Sequence, residues 1–355
     1  MKRAFAEINL EQIKNNFLAF KKLIAPQTQM MAVVKADAYG LGAVPVSETC
    51  LAYGATFLGV AWVGEAKEIR EAGITAPILI LSEPPFESTR ELVELELTQT
   101  VFSEEYIDKL EKQLKNINQT LKVHLKIDTG MGRIGTSASK ALELIDKIEK
   151  SKYLKLEGVF THFACADEKN NPYTSQQLSK FNEIVNQIKQ KINRPLIFHA
   201  ANTAGVENFP ESQFNMVRIG IGLYRQALTL KSYVIYIKEM SAGESISYGS
   251  TFTLKQNTKI ATVCIGYADG YSRILSNKTH VLINGKKFPQ VGRITMDMLM
   301  VDIGNSNVKV GDEVVLIGRQ GQEYIDATEI ASLMGTNEYE VLTNLGKKRV
   351  QKVKV

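Results

Sequence analysis

In the stretch MMAVVKADAYG, residues 30–40, five apolar residues run straight into Lys35. An ammonium is costly to bury, so a lysine at the end of a core strand either reaches water or uses its amine. Where burial and neighbouring cations disfavour the charged form, the neutral amine is a nucleophile toward carbonyls. Similar residues close other apolar runs. Lys126 and Asp128 end LKVHLKID, with Arg133 in the glycine-rich DTGMGRIG that follows, and His162 stands near the end of LEGVFTHF. His199 stands near the end of PLIFHA, with Asn202 and Thr203 beyond it, and Arg218 lies in FNMVRIG, ahead of Gly220 and Ile221. Two lysines, two arginines and two histidines facing one cavity repel each other unless an anion sits among them. A phosphate meets that need, with the Thr203 hydroxyl and the Gly220 and Ile221 backbone N–H groups to bind it. Phosphate together with an aldehyde-binding lysine points to pyridoxal 5′-phosphate.

These residues converge only if the apolar runs are strands whose carboxyl ends meet, as in a βα barrel. Eight runs qualify: 30–34, 56–62, 77–81, 98–102, 121–127, 156–163, 195–200 and 214–220. Between them lie segments with apolar residues at three- and four-residue spacing, such as 64–72, 88–97, 104–114, 138–150 and 175–191. The alternation predicts an α/β fold, a (β/α)8 TIM-type barrel, with a doubly wound open sheet as its competitor. After residue 228 the strands lose their intervening helices, as in TKIATVCIGYA, THVLING and DEVVLIG. The expected domains are therefore a barrel over residues 1–228 and a β-rich domain over 229–355, with one helix near 325–334.

The 355 residues are 44% hydrophobic, enough for a large core, and 43 basic residues against 38 acidic ones leave a formal charge of +5. No basic stripe interleaved with aromatics stands out, so nucleic acid is not an expected partner. The opening MKRAFAEINLEQI has no apolar core of a signal peptide, and no run of 18 apolar residues follows, so neither export nor membrane insertion is expected and the cytoplasm is. Cys50, Cys165 and Cys264 are odd in number and far apart, which suits reduced thiols. Four histidines without paired ligand spacing give no metal site.

The motifs AVVKADAYGLG, KIDTGMGRIG, THFACADE, HAANTAG, FNMVRIGIGLY, SYGSTF, GYADGYSR, VGRITMD and NEYEVLTNLGKKRV resemble, in order and spacing, those of the alanine racemases, a fold-type III pyridoxal-phosphate family. The resemblance runs from about residue 5 to the C-terminus. It implies an isomerase that interconverts L- and D-alanine, for peptidoglycan if the source is bacterial, acting as a homodimer with shared active sites. It assigns Lys35 to carry the cofactor and to act as one base, and Tyr248, from the partner's β-rich domain, to act as the other. Arg218 would face the pyridine nitrogen, His199 would orient Arg218, and His162 would pack beside the ring. Arg133 would hold the cofactor's phenolic oxygen and the substrate carboxylate, next to a carbamylated Lys126. Tyr39, Thr203, Gly220 and Ile221 match the phosphate set, with Asn202 beside them. Met296 and Asp297 match the partner's contacts to the substrate carboxylate. Asp167, Tyr267, Tyr271, Arg273 and Arg293 match the access corridor.

Two positions depart from the family pattern. Leu41 stands where many members have histidine, and Lys347 stands where some have a phosphate-binding tyrosine. Three other readings compete: a racemase of broader substrate range, a non-catalytic pyridoxal-phosphate carrier and a decarboxylase. The carrier would lack the domain that holds Tyr248, and the motif order disfavours the decarboxylase.

Overall fold

The computed structural model describes residues 3–85, 88–345 and 349–355. Two compact units divide it, one of Lys14–Ala38 and Ala43–Leu223, the other of Met1–Ile13, Tyr39–Gly42 and Tyr224–Val355. The first strand, β1 (Ala4–Ile8), belongs to the second unit.

The first unit is a nearly closed parallel barrel. Its strands are β2 (Gln29–Val33), β3 (Phe57–Val60), β4 (Ile78–Ile80), β5 (Thr98–Val101) and β6 (Leu121–Asp128), to which the short β7 (Thr136–Ser137) pairs. Then come β8 (Leu154–Phe160), β9 (Ile197–His199) and β10 (Met216–Ile219), giving the order β10-β2-β3-β4-β5-β6-β8-β9. Between β9 and β10 the sheet is bridged at its seam by Asn215 N–H donating to Phe198 O (3.1 Å) and Arg218 N–H to Ala201 O (2.9 Å). Parallel strands covered on both faces are buried along their whole length, which is why they read as unbroken apolar runs; in β2 through β5 only Gln29 escapes full burial. The helices bury one stripe each. Glu104–Ile117 buries Tyr106, Ile107, Leu110 and Leu114, and Ser103 Oγ accepts from Tyr106 N–H to cap it. All eight expected strands and the expected helices are present, shifted by a few residues at their ends. Among the described residues, no helix is long and apolar enough to cross a membrane.

The second unit is an antiparallel sheet around the long β11 (Leu228–Met240), which pairs with β1 from Ala4↔Ser232 to Ile8↔Leu228. It also takes in the parallel pairing of β1 with the C-terminal Gln351–Lys354. One side of its core is built on Met240, Ile246, Leu254, Ile260 and Val291. The boundary expected at 228 lies close to Tyr224, but the expected barrel of 1–228 needs correcting at its start. Strand β1 completes the β-rich sheet through partners more than two hundred positions away, a pairing with no local signal.

Candidate active site

Strand β2 stops at Val33, and Lys35 begins a turn of unusual hand. Ala36 (φ 53°, ψ 48°), Asp37 (53°, 49°) and Ala38 (51°, 52°) are all left-handed, and Tyr39 follows at φ 56°. For L-residues this costs roughly 1–2 kcal/mol each, so the turn must be held by its surroundings. Three contacts hold it. Ala38 N–H donates to Val34 O (2.8 Å), and Ala43 N–H to Asp37 Oδ1 (2.7 Å). The carboxylate of Glu65 accepts from Ala36 N–H at Oε1 and from Ala61 N–H at Oε2, both at 2.7 Å. One side chain therefore ties the segment after β2 to the segment after β3, at the residue next to Lys35. Sequence reading missed Glu65, because an acidic residue in the first turn of the helix Val63–Glu71 looks like ordinary complement to the helix dipole. The Lys35 amine is pushed down by burial and then by Arg133, against the opposing pull of Glu65.

The other cations lie in the same field. Lys126 is 4% exposed and is brought down to about 7, by burial first and then by Arg133, Arg218 and Lys35, with Asp128 opposing. Asp128 is committed elsewhere, accepting from Gly130 N–H (2.8 Å) and Gly132 N–H (3.0 Å) and so shaping the loop that presents Arg133. Gly135 (φ 134°) closes that loop where a Cβ would stand 2.6 Å from Asp128 N, so only glycine fits. Among the described residues, neither Lys126 nor Arg133 pairs with a carboxylate.

Arg218, also 4% exposed, donates from Nη1 to His199 Nδ1 (2.9 Å), and from Nη2 to Thr161 O (2.8 Å), Ala200 O (2.9 Å) and His162 Nδ1 (3.2 Å). Burial brings the guanidinium down to about 9, which leaves it protonated at neutral pH. Burial and the Arg218 charge push both His162 and His199 well below the ordinary imidazole range, so each is neutral and turns a bare Nδ1 to the arginine.

Beyond β9, Asn202 Oδ1 caps the short helix Thr203–Asn208 by accepting from Gly205 N–H (2.8 Å). Thr203 Oγ1 accepts from Gly220 N–H (3.1 Å) and Gly222 N–H (3.3 Å), which joins two of the expected phosphate contacts into one cradle. Ile221 opens the next helical turn, where the first N–H groups have no partner within the turn. A Cβ on Gly222 would stand 2.7 Å from Thr203 Cγ2, so the cradle depends on that glycine. Asp167 is exposed beyond β8.

In the β-rich unit, Tyr248 is 71% exposed on a tight turn that Ser247 enters at φ 65°. Ser247 Oγ donates to Arg293 O (2.7 Å) and steadies that turn. Met296, Tyr267 and Arg273 are exposed, and Arg293 is half-buried. Asp297 Oδ1 accepts from Arg3 (3.2 Å) and Arg349 (2.7 Å), which neutralises its charge beside the Met296 backbone. Tyr271 corrects the expectation: it is 1% exposed, with its hydroxyl 3.2 Å from Thr279 Oγ1, so it is a core residue and lines no corridor. Tyr39 is buried against Tyr224 (4.7 Å between ring centroids), and burial raises its phenol above the ordinary range. Leu41 is buried at 1% exposure, and Lys347 lies outside the described residues.

Known proteins share this fold. The family model described as alanine racemase, N-terminal domain, matches residues 8–227, and that for the C-terminal domain matches 227–354. An alanine racemase of Carboxydothermus hydrogenoformans is 44% identical over 97% of this chain and 98% of its own length. One of Methanococcus maripaludis is 41% identical over 95% of both. The crystal structure of alanine racemase from Bacillus anthracis with bound L-Ala-P superposes with a TM-score of 0.93 at 39% identity, covering 100% of this chain and 95% of that one. Two family models that together span nearly the whole sequence, and relatives of this identity, show that the chain belongs to the alanine racemase family.

Proposed function

We propose that the chain is a pyridoxal-phosphate-dependent racemase interconverting L- and D-alanine through two bases, Lys35 and Tyr248. The observation that carries this is the Lys35 amine, held on a braced left-handed turn beside Lys126 and Arg133, which among the described residues pair with no carboxylate. The residues suit the cofactor. The Thr203 cradle with Gly220 and Ile221, with Asn202 capping the helix behind it, would take the phosphate, and Tyr39 would join them. Arg133 would meet its phenolic oxygen and the substrate carboxylate, and Arg218 would face its ring nitrogen, with His162 beside the ring. When bound, the cofactor supplies a conjugated ring that accepts the electron pair left at the α-carbon.

The protein's own groups then divide the work. Lys35 Nζ holds the cofactor and moves a proton on one face of the α-carbon. The Tyr248 phenol, supplied by a second copy of the chain in a homodimer, moves a proton on the other. Opposed bases are what inversion requires. Arg218 does not surrender a proton, so it would hold the cofactor's ring nitrogen without protonating it. Met296, by its backbone N–H, and the neutralised Asp297 complete the carboxylate site, while Asp167, Tyr267, Arg273 and Arg293 line the approach. Lys126, half deprotonated near pH 7, is suited to carbamylation: its amine adds to carbon dioxide, a proton leaves, and the resulting anion holds Arg133. The enzyme works in the cytoplasm and, in a bacterium, supplies D-alanine for peptidoglycan.

The test is an absorbance spectrum with added pyridoxal phosphate, before and after borohydride, alongside a coupled D-alanine assay. A band that reduction traps on Lys35, with alanine racemised faster than serine or lysine, is the expected result. No band and no D-alanine sinks the reading, and a Tyr248→Phe protein that racemises as fast as the parent sinks its two-base part.

A further inference from the structure

A line of side chains crosses the barrel from Arg218 to its opposite mouth. Arg218 Nη1 meets His199 Nδ1 at 2.9 Å, His199 Nε2 meets His124 Nδ1 at 2.9 Å, and His124 Nε2 meets Glu157 Oε2 at 3.3 Å. Glu157 Oε1 then pairs with Lys122 Nζ at 2.7 Å, and Thr98 Oγ1 donates to Oε2 at 3.1 Å. Both imidazoles are fully buried. The line ends where Glu157 and Lys122 border a cavity of about 440 Å³.

Only one arrangement of protons satisfies it. Arginine has no acceptor, so His199 must accept at Nδ1 and carry its hydrogen on Nε2. His124 must then accept at Nδ1 and donate from Nε2, and the carboxylate at the end can only accept. Both ends therefore demand the same direction. The backbone makes room for it: a Cβ on Gly158 would stand 2.6 Å from His124 Cε1, and the β6–β8 register shifts between Val123 and His124. Phe160 stacks on His199 with centroids 4.6 Å apart and planes 8° from parallel, which fixes its plane. Burial holds His124 below its ordinary range against the pull of Glu157. Burial also opposes the charge on Glu157, but the hydrogen bonds from His124 and Lys122 outweigh it and hold the carboxyl at about 2. The line thus runs cation, neutral, neutral, anion.

We propose that Glu157 is a positioning residue for Arg218. Through His124 and His199 it supplies the counter-charge that the buried guanidinium lacks, and it fixes the direction of the guanidinium's hydrogen bonds. The kinetic arm of the test rests on Arg218 acting in the proposed reaction; the spectroscopic arm does not.

The experiment is ¹⁵N spectroscopy of the full-length protein labelled at its four histidines, with racemisation kinetics on the same samples. The parent should show His124 and His199 each with a protonated Nε2 and a bare Nδ1; a proton on either Nδ1 overturns the proposal. Glu157→Gln keeps an acceptor but loses the charge. It should keep both tautomers while kcat falls on the order of tenfold and KM moves less than about twofold, the effect of losing an indirect partner. A parent-like kcat would overturn the counter-charge role. Glu157→Ala leaves the Arg218 end to hold both tautomers but takes the acceptor from His124 Nε2–H, so the His124 Nε2 nitrogen and proton signals should shift while His124 Nδ1 stays bare, and parent-like His124 signals would count against the line. If that variant does not fold, Lys122→Met, at a mostly exposed position, leaves Glu157 as acceptor and should keep both tautomers while shifting His124 Nε2 by less; a proton on His124 Nδ1 there would overturn the line. A parent that forms no D-alanine while showing the expected tautomers refutes the proposed function and leaves the line intact.

Discussion

The two units treat buried charge in opposite ways. In the β-rich unit, Arg3 lies 3.2 Å from both Asp269 and Asp297, and Arg349 lies 3.2 Å from Asp269 and 2.7 Å from Asp297. Two arginines face two aspartates, and the fully buried Asp269 also accepts from Gly266 N–H. In the barrel, Lys35, Lys126 and Arg133 share one region, and the carboxylates beside them are already engaged by backbone amides: Asp128 by Gly130 and Gly132, Glu65 by Ala36 and Ala61. In the matched cluster each charge meets an opposite one within 3.2 Å, whereas the unmatched one is stable only to the extent that its members are neutralised or meet an anion from outside. The chemistry is marked by charges whose partners are missing.

The sharpest way to break this contrast is Lys35→Ala. Removing the unmatched amine should lower racemisation by roughly 10³- to 10⁴-fold, the scale of losing a nucleophile that is also a base, while the urea midpoint stays near that of the parent. Retained activity would mean that the crowded lysine has no chemical role. Next in size is the opposite kind of change, Asp269→Ala. It strips a carboxylate from the matched cluster and should cost about 1–3 kcal/mol by urea denaturation, because Gly266 N–H loses its buried acceptor and the part-exposed Arg3 and Arg349 keep only Asp297. Lys126→Met should move stability the other way at neutral pH, by about 1–3 kcal/mol, since it replaces an unpaired buried amine with an apolar chain. If both substitutions destabilise alike, the two clusters do not differ as described.

Much of this was legible in the sequence, for a physical reason. Strands buried on both faces write their positions as apolar runs, and a charged or imidazole side chain at the end of such a run breaks the pattern visibly. Lys35, Lys126, His162, His199 and Arg218 stand out in that way. Glu65 does not, because its task is to hold backbone amides from two separate segments, and a helix's first turn is full of carboxylates that do nothing of the kind. Neither does the left-handed turn, since KADAY contains no glycine to announce it. The ion pairs of Arg3 with Asp269 and Asp297 join the two ends of the chain, as β1 does with β11, and no local pattern encodes such partners. Tyr271 misled because its motif points to a corridor while its ring fills the core.

The unmatched cluster should also leave a signature in stability against pH. Lys126 falls from an ordinary 10.5 to about 7 on folding. Between those values the unfolded chain binds more protons than the folded one, so stability rises with pH across that window and is flat below it. At roughly 1.4 kcal/mol per pH unit the rise is at most a few kcal/mol. Urea midpoints in buffers free of carbon dioxide should show this slope, and Lys126→Met should flatten it. Bicarbonate should flatten it too if Lys126 becomes a carbamate; a slope indifferent to bicarbonate would argue against that modification.

The smallest effect concerns the turn that carries the unmatched lysine. Ala36, exposed and at φ 53°, occupies a conformation that a Cβ disfavours by roughly 1–2 kcal/mol. Ala36→Gly removes that strain but adds freedom to the unfolded chain, worth about 0.5–1 kcal/mol, so the net should be a gain of a few tenths to about 1 kcal/mol. In an ordinary right-handed helix the same change costs about 1 kcal/mol, so the sign alone reports the hand of the turn. Glu65→Gln should act against it, because an amide offers one oxygen where two N–H groups need acceptors, at about 1–3 kcal/mol. Combined, the two changes should fall short of additivity, since a relaxed turn depends less on the carboxylate that braces it. Strict additivity would mean that Glu65 ties the segments after β2 and β3 together without bearing on the strain beside Lys35.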